Sequence, residues 1–342
     1  MNDTKENIIN NVTQLSSYAT TLSLAPAKQV LRLRDELLAL PNETKWTLGG
    51  KSGLNSDGSP LQYCISSSNS GLQGRFISDP SCIIGPPKER YQYSYLALQK
   101  LYKKTGSDDI KKICEEMLAY HLPKEQEVLE EYPDGVFWLG ASPDRSGMAV
   151  YIDGRRGGHD ASWERLRGWM TDLMPNNTEV DSFIDSVKPF ADIMSIGLEG
   201  SNFENLRAKI YFRLSKPTSL MDLDIPLLKE DKFTAFLNDV VGDNKIRLSG
   251  LVFNIGFHIA SSKMFDAKID VCGCNSCVKL NSKEWIALLN KTTLTNDVKP
   301  FPVDDSVLDN QCAVSYYGIG VDRKGNVRIN LYLKNKLPRQ DD

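Results

Sequence analysis

Two periodicities alternate along the chain. Apolar residues recur at three- and four-residue spacing over 27–40, 91–104, 108–121, 161–174, 180–187, 227–241 and 282–291, the pattern of helices with one buried face. Between these stretches lie paired runs of strand-like sequence: 44–67 with 71–79, 136–141 with 147–153, 191–199 with 206–215, 248–260 with 265–272, and 313–321 with 327–335. Turn-rich segments such as Ser142-Pro143-Asp144-Arg145-Ser146-Gly147 and Asp322-Arg323-Lys324-Gly325 join the members of several pairs.

The pairs recur with a regular step. Arg75, Tyr151, Tyr211, Asp270 and Tyr332 lie part-way along the second members, at intervals of 76, 60, 59 and 62 residues. About five copies of a helix–helix–hairpin unit fit that spacing. Mostly antiparallel strands with helices between the hairpins would close into a barrel, which leaves no unpaired sheet edge. The sequence therefore predicts an α+β fold, a ten-stranded antiparallel barrel over 44–336 ringed by outer helices. Residues 1–43 are expected to form a helical segment packed on this single domain, and 337–342 a tail.

The second strands carry the chemistry. Arg207, Lys209, Tyr211 and Arg213 alternate with apolar residues, as do Arg328, Asn330, Tyr332 and Lys334. Lys268 and Asp270 repeat the pattern, and Tyr151 and Asp153 do so more weakly. Each strand has one apolar and one polar face. Two arrangements satisfy this: an apolar face on a core with charges in water, or an apolar face under helices with the polar face lining a lumen. In the second, Arg75, Arg207, Lys209, Arg213, Lys268, Arg328 and Lys334 would share one cavity with few acids nearby, and would repel one another unless an anion bound. Tyr151, Tyr211 and Tyr332 add ring faces that attract cations. Basic groups interleaved with tyrosines suit a substrate with a polyanionic head and a nascent carbocation, and an allylic diphosphate is such a substrate.

Composition removes several alternatives. The 342 residues hold 41 basic and 44 acidic side chains, a formal net charge of −3, and are 41% hydrophobic. That balance gives no reason to expect nucleic acid, and no apolar run approaches the roughly 18 residues of a membrane helix. The opening Met-Asn-Asp-Thr-Lys-Glu lacks the layout of a secretory signal, and seven cysteines, an odd number, fit reduced thiols. The expectation is a soluble cytoplasmic protein.

Three segments resemble the aromatic prenyltransferases of the αββα (ABBA) barrel fold, and in particular the dimethylallyltryptophan synthase, or indole prenyltransferase, family. Leu54-Asn55-Ser56-Asp57-Gly58-Ser59-Pro60-Leu61-Gln62-Tyr63-Cys64-Ile65-Ser66 is similar to that family's L-T-D-D-G-T-P-x-E-x-S segment. Arg75-Phe76-Ile77-Ser78-Asp79-Pro80 resembles R-F-x-x-E-P, and Arg207-x-Lys209-x-Tyr211 matches R-x-K-x-Y. The resemblance implies transfer of an allylic group from its diphosphate to an indole-type acceptor by ionisation and Friedel–Crafts substitution. It implies that Arg75, Arg207 and Lys209, joined by Lys268 and Arg328, bind diphosphate, and that Tyr151, Tyr211 and Tyr332 shield the allyl cation.

The departures fall on the acceptor side. Gln62 stands where the family has the glutamate that takes the indole N–H, and an amide accepts a hydrogen bond without serving as a general base. Ala149 replaces a lysine, and Asp270 replaces a shielding tyrosine. Asp270 is the candidate base, with Glu43 a weaker one; the competing reading of Asp270 is an ion pair with Lys268 or Arg328. Tyr63, Trp138, Met194 and Tyr317 are candidate acceptor-pocket walls, and core packing would explain each equally well.

No metal motif is strong. Asp304-Asp305-Ser306-Val307-Leu308-Asp309 has one residue too many for D-D-x-x-D and reads as an exposed acidic helix start. With basic side chains to neutralise diphosphate, no cofactor is expected to be required, and Mg²⁺ is not expected to be essential. Cys272-x-Cys274-x-x-Cys277 lacks a second cluster at zinc spacing and reads as free thiols at a strand end. His159 reads as a loop residue before a helix capped by Asp160, and Gly154–Gly158 as a surface turn. The other readings are prenylation of a phenol or of a peptide Trp or Tyr, and a non-catalytic barrel that binds an anionic ligand and holds zinc in its thiol cluster.

Overall fold

The computed structural model describes residues 52–335 apart from 56–57, 59, 81–86, 106, 123–134, 143–146, 242–249, 274–277 and 279, together with Ala19, Lys28 and Arg32. The expectations for 1–43 (including Glu43), for the thiols of Cys274 and Cys277, and for 337–342 lie outside the described residues, save Ala19, Lys28 and Arg32.

Ten strands pair antiparallel into a closed barrel in the order β1-β10-β9-β8-β7-β6-β5-β4-β3-β2. They are β1 (Leu61–Ser68), β2 (Gly71–Ser78), β3 (Phe137–Ala141), β4 (Met148–Asp153), β5 (Ala191–Gly200), β6 (Arg207–Leu214), β7 (Leu251–His258), β8 (Lys263–Cys272), β9 (Cys312–Asp322) and β10 (Val327–Asn335). The first begins at Leu61, directly after Pro60. Eight strands would close on a side-chain-filled interior, and ten leave room for a lumen.

Helices α1 (Pro87–Thr105), α2 (Asp108–His121), α3 (Gly158–Leu173), α4 (Thr178–Val187), α5 (Asp231–Val241), α6 (Ser282–Thr295) and α7 (Asp305–Asn310) pack outside. Their buried stripes meet the outward apolar rows of the strands in one continuous core, from Trp163, Trp169 and Phe183 to Ile210, Phe212, Ile255 and Phe257. Each such side chain contributes about 1.5–3 kcal/mol by leaving water. This settles the two arrangements that alternation left open: the apolar faces lie under helices, and the polar faces turn inward.

Two helix expectations change. The stretch over 227–241 divides into a 3₁₀ turn, Pro226–Lys229, and α5. Helix α3 starts at Gly158 with Gly157 as its cap at φ 75°, a left-handed conformation that glycine adopts without strain. Asp160 therefore sits in the first turn, where it pairs with Lys188, and His159 bonds Asp192 at 2.8 Å. Asp304 does cap a helix, accepting from the Val307 amide.

Candidate active site

The lumen is built unequally by the two members of each hairpin. First strands bring glycines to several inward positions: Gly140, Gly197, Gly256, Gly318 and Gly320 stand beside Ala149, Tyr151 and Lys209, Asp266, Asp270 and Lys268 of the neighbouring strands. Two of these glycines are required by close approach. A Cβ on Gly197 would lie 2.4 Å from the Tyr151 ring, and one on Gly256 would lie 2.0 Å from Asp266 Oδ1. The functional side chains thus lie across their neighbours' glycines.

A cavity of about 990 Å³ opens at the hairpin end, where Asn69, Ser70, Ser142, Ser201, Asn205 and Asn326 form a polar rim. Arg75, Glu199, Arg207, Lys209, Lys268 and Arg328 form its charged girdle, with Tyr211, Asn254 and Asn330. Beneath lies an aromatic layer of Trp138, Tyr151 and Tyr332 with Cys64, Ile77 and Ala149, against which Tyr211 and Tyr316 pack. Tyr151 meets Tyr211 edge-to-face with centroids 5.6 Å apart, and Tyr316 meets Tyr332 in the same way at 6.3 Å. Lys268 Nζ lies 4.6 Å from the Tyr332 ring centroid and bonds its hydroxyl. Burial pushes the Tyr151 phenol up to about 12 and raises those of Tyr211 and Tyr332 well above the usual value, so all three are neutral.

The expectation of few acids in the lumen is wrong. Glu199 Oε1 accepts from Arg75 and from Arg207, each at 3.0 Å. Asp266 accepts from Lys209 Nζ at 2.7 Å and Arg207 Nη1 at 2.7 Å, and also from Arg328. Asp270 Oδ2 pairs with Lys268 Nζ at 2.7 Å, the ion pair that competed with its reading as a base. Asp270 Oδ1 is buried with no hydrogen-bond partner among the described residues. Burial alone would raise the carboxyls of Glu199 and Asp266, but the surrounding guanidinium and ammonium groups hold both below the usual range. Burial pushes Lys209 down to about 7 against the pull of Asp266.

Gln62 of β1 is held by amide, carbonyl and hydroxyl partners. Gln62 Nε2 donates to the Leu54 carbonyl at 3.0 Å, to Asn55 Oδ1 at 2.8 Å and to Ser315 Oγ at 3.1 Å. Gln62 is therefore engaged with these partners and does not line the cavity.

Of the four acceptor-wall candidates, Trp138 alone joins the lumen cluster. Tyr63 turns outward over Gly74 and meets Phe76 at 5.1 Å between centroids. Tyr317 turns outward between Phe236 of α5 and Trp285 of α6. Met194 falls at a β-bulge between Ile193 and Ser195 and neither lines the cavity nor joins the cluster. Arg213 and Lys334 share the inward phase of their strands but lie beyond the cavity. Sequence reasoning missed Glu199, Asp266, Asn254, Cys64 and Tyr316. Asp266 continues the Lys268–Asp270 alternation by one step, a signal that was present. Glu199 lies on a first strand with no alternating charge to mark it.

The fold matches solved structures along almost the whole chain. A 5-dimethylallyltryptophan synthase from Streptomyces coelicolor matches with a TM-score of 0.74 at 16% identity, over 95% of this chain and 96% of that one. The prenyltransferase fold accounts for this chain. PriB, solved with L-tryptophan and dimethylallyl thiolodiphosphate, matches at 0.73 and 15% identity, over 96% and 97%. AnaPT from Neosartorya fischeri matches at 0.70 and 9% identity, over 97% and 94%. Likeness at these identities is likeness of fold. No family model matches the sequence, and no curated protein matches it. Among the described residues no helix is long and apolar enough to cross a membrane, and no cluster of three potential metal ligands occurs.

Proposed function

We propose that the chain is an aromatic prenyltransferase that moves a dimethylallyl or geranyl group from its diphosphate to an indole-containing small molecule, in cytoplasmic natural-product biosynthesis. One observation carries this reading: a girdle of five basic side chains sits at the cavity, directly above a layer of neutral tyrosines. Arg75, Arg207, Lys209, Lys268 and Arg328 stabilise the charge that develops as the allylic C–O bond breaks and its electron pair passes to the diphosphate oxygen. Tyr211, Tyr332 and Tyr151 face the allyl cation and keep water from it. A ring carbon of the acceptor then supplies the pair for the new C–C bond, and loss of the ring proton restores aromaticity. The unpartnered Oδ1 of Asp270 is the proton acceptor in this scheme, with Lys268 holding the other oxygen. Basic side chains meet the diphosphate charge, so the scheme does not depend on Mg²⁺.

The test is incubation with dimethylallyl, geranyl or farnesyl diphosphate against a panel of indoles, phenols and Trp- or Tyr-containing peptides, with and without EDTA. A prenyl mass shift on an indole that survives EDTA is the expected result. A shift confined to phenols or peptides would transfer the reading to those acceptors. No shift together with no diphosphate binding by calorimetry would overturn it in favour of a barrel with another ligand.

Lys209 gives the reaction a pH signature. Its ammonium is charged below about pH 7 and is lost as pH rises through that value. Donor kcat/KM is expected to fall between pH 7 and 9, by at most tenfold per unit for a single proton. Lys209→Arg keeps its charge over this range, and its profile should be flat where the wild type declines.

A further inference from the structure

Behind the girdle lies a carboxylate, Asp266, to which this chemistry gives no role. Asp266 is 1% exposed, does not line the cavity, and lies over Gly256 in the inward row of β8. Its carboxylate joins three cations from two strands, Arg207 and Lys209 of β6 and Arg328 of β10. Lys209 Nζ reaches Oδ1 at 2.7 Å and Oδ2 at 3.0 Å, Arg207 Nη1 reaches Oδ2 at 2.7 Å, and Arg328 bonds the same oxygen. Strands β6 and β10 are separated by three others in the barrel, and Asp266, on β8 midway between them, ties their cations together. Glu199 extends the chain of ion pairs from Arg207 to Arg75 on β2.

The geometry separates an inner and an outer side. Asp266 holds its partners from the wall, while Arg207 and Arg328 keep 15% and 29% of their side chains exposed, on the cavity. A guanidinium carries five N–H donors in a fixed fork, so those of Arg207 and Arg328 not given to Asp266 or Glu199 remain for a ligand. Long basic side chains otherwise lose much rotamer freedom when an anion orders them.

We propose that Asp266 is a positioning residue, which holds Arg207, Lys209 and Arg328 in one converging set for a diphosphate before the donor arrives. The inference rests on reading the cavity as the diphosphate site. Its opposite is that Asp266 is a competing counter-ion that the donor must displace. The two differ in sign: removal of a competitor adds net positive charge and tightens anion binding, whereas removal of an anchor weakens it.

Asp266 also supports the Lys209 ammonium against burial. The other groups facing that ammonium are Arg207 from β6 and Arg328 from β10, which disfavour its charge, and Glu199 from β5, which favours it. Asn254 of β7 accepts from it at 3.1 Å. Asp322 of β9 is engaged by the amides of its own turn, and His258 of β7 by Ser261 and the Glu204 carbonyl.

The experiment is calorimetric titration of the wild type and Asp266→Asn with inorganic pyrophosphate between about pH 6 and 9. Asp266→Asn is expected to bind about 30-fold more weakly at neutral pH, as truncation of a buried charge partner does. Its decline with rising pH should also begin at lower pH, because the ammonium has lost its counter-ion. Equal or tighter binding by a folded Asp266→Asn, with an unmoved pH profile, overturns the proposal. If that variant does not fold, Gly256→Ala crowds Asp266 Oδ1 at 2.0 Å and Lys209 Nζ at 3.0 Å, and so disturbs their pairing without removing charge; weakened binding is expected, and unchanged binding overturns the proposal. Wild-type protein that binds no pyrophosphate would remove the diphosphate reading itself, and this inference with it, so the two failures are told apart.

Discussion

Arg75→Ala is expected to lower kcat/KM for the allylic diphosphate by about 10²- to 10³-fold, the cost of removing one pre-oriented donor from a developing oxyanion. The fold should survive, because Arg75 is partly exposed on the cavity and Glu199 keeps Arg207 as a partner after its loss. Lys209→Ala should lose at least as much turnover, since it removes the most deeply placed cation of the girdle, a side chain 2% exposed. Asp266 then retains Arg207 and Arg328, so the carboxylate is not left alone in the wall. Steady-state kinetics with thermal melts of both variants would check this. Near-normal turnover in both would mean that the basic stripe does not contact the donor.

The largest effect on stability is expected far from the lumen, at Phe183→Ala. Phe183 is fully buried on α4, with ring centroids 6.1 Å from Trp163, 6.0 Å from Phe212 and 5.6 Å from Phe257. It thereby joins two helices to β6 and β7, the strands that carry Lys209 and Asn254 on their other faces. Truncation leaves a cavity among aromatic rings and should cost about 3–5 kcal/mol. Calorimetry should show the melting midpoint lowered by about 4–7 °C. Below the transition, kcat should be little changed, because the outward core and the lumen lie on opposite faces of the same strands. A melting midpoint within about 1 °C of wild type would mean that the α4 packing described here contributes little.

Much of the architecture was legible because strand chemistry is local. In β6 and β10 the alternation of charged or tyrosine residues with aliphatic ones fixes which side chains share a face. The regular hairpin step implied repetition, and repetition of antiparallel pairs implied closure. The candidate donor cradle on second strands followed from the same phase. First strands were another matter. The β3 segment Phe-Trp-Leu-Gly-Ala is buried on both faces, so it carries no alternation to say whether a side chain points in or out. Tyr63 and Tyr317 were misplaced among acceptor walls for this reason, and the bulge at Met194 shifted a phase that no local pattern marks.

The sequence by itself determined the number and order of hairpins, which side chains of each second strand share a face, and the excess of basic groups along those rows; that this polar row turns inward was decided by the helices packed outside. Tertiary structure alone decided how that charge is balanced. Lys209 and Asp266 are 57 residues apart and meet only because β7 lies between their strands with glycine at the crossing. Arg328 reaches the same carboxylate from a distance of 62 residues. Such pairings depend on inter-strand register and on the curvature of a closed sheet, which are properties of the assembled barrel and are written in no single strand.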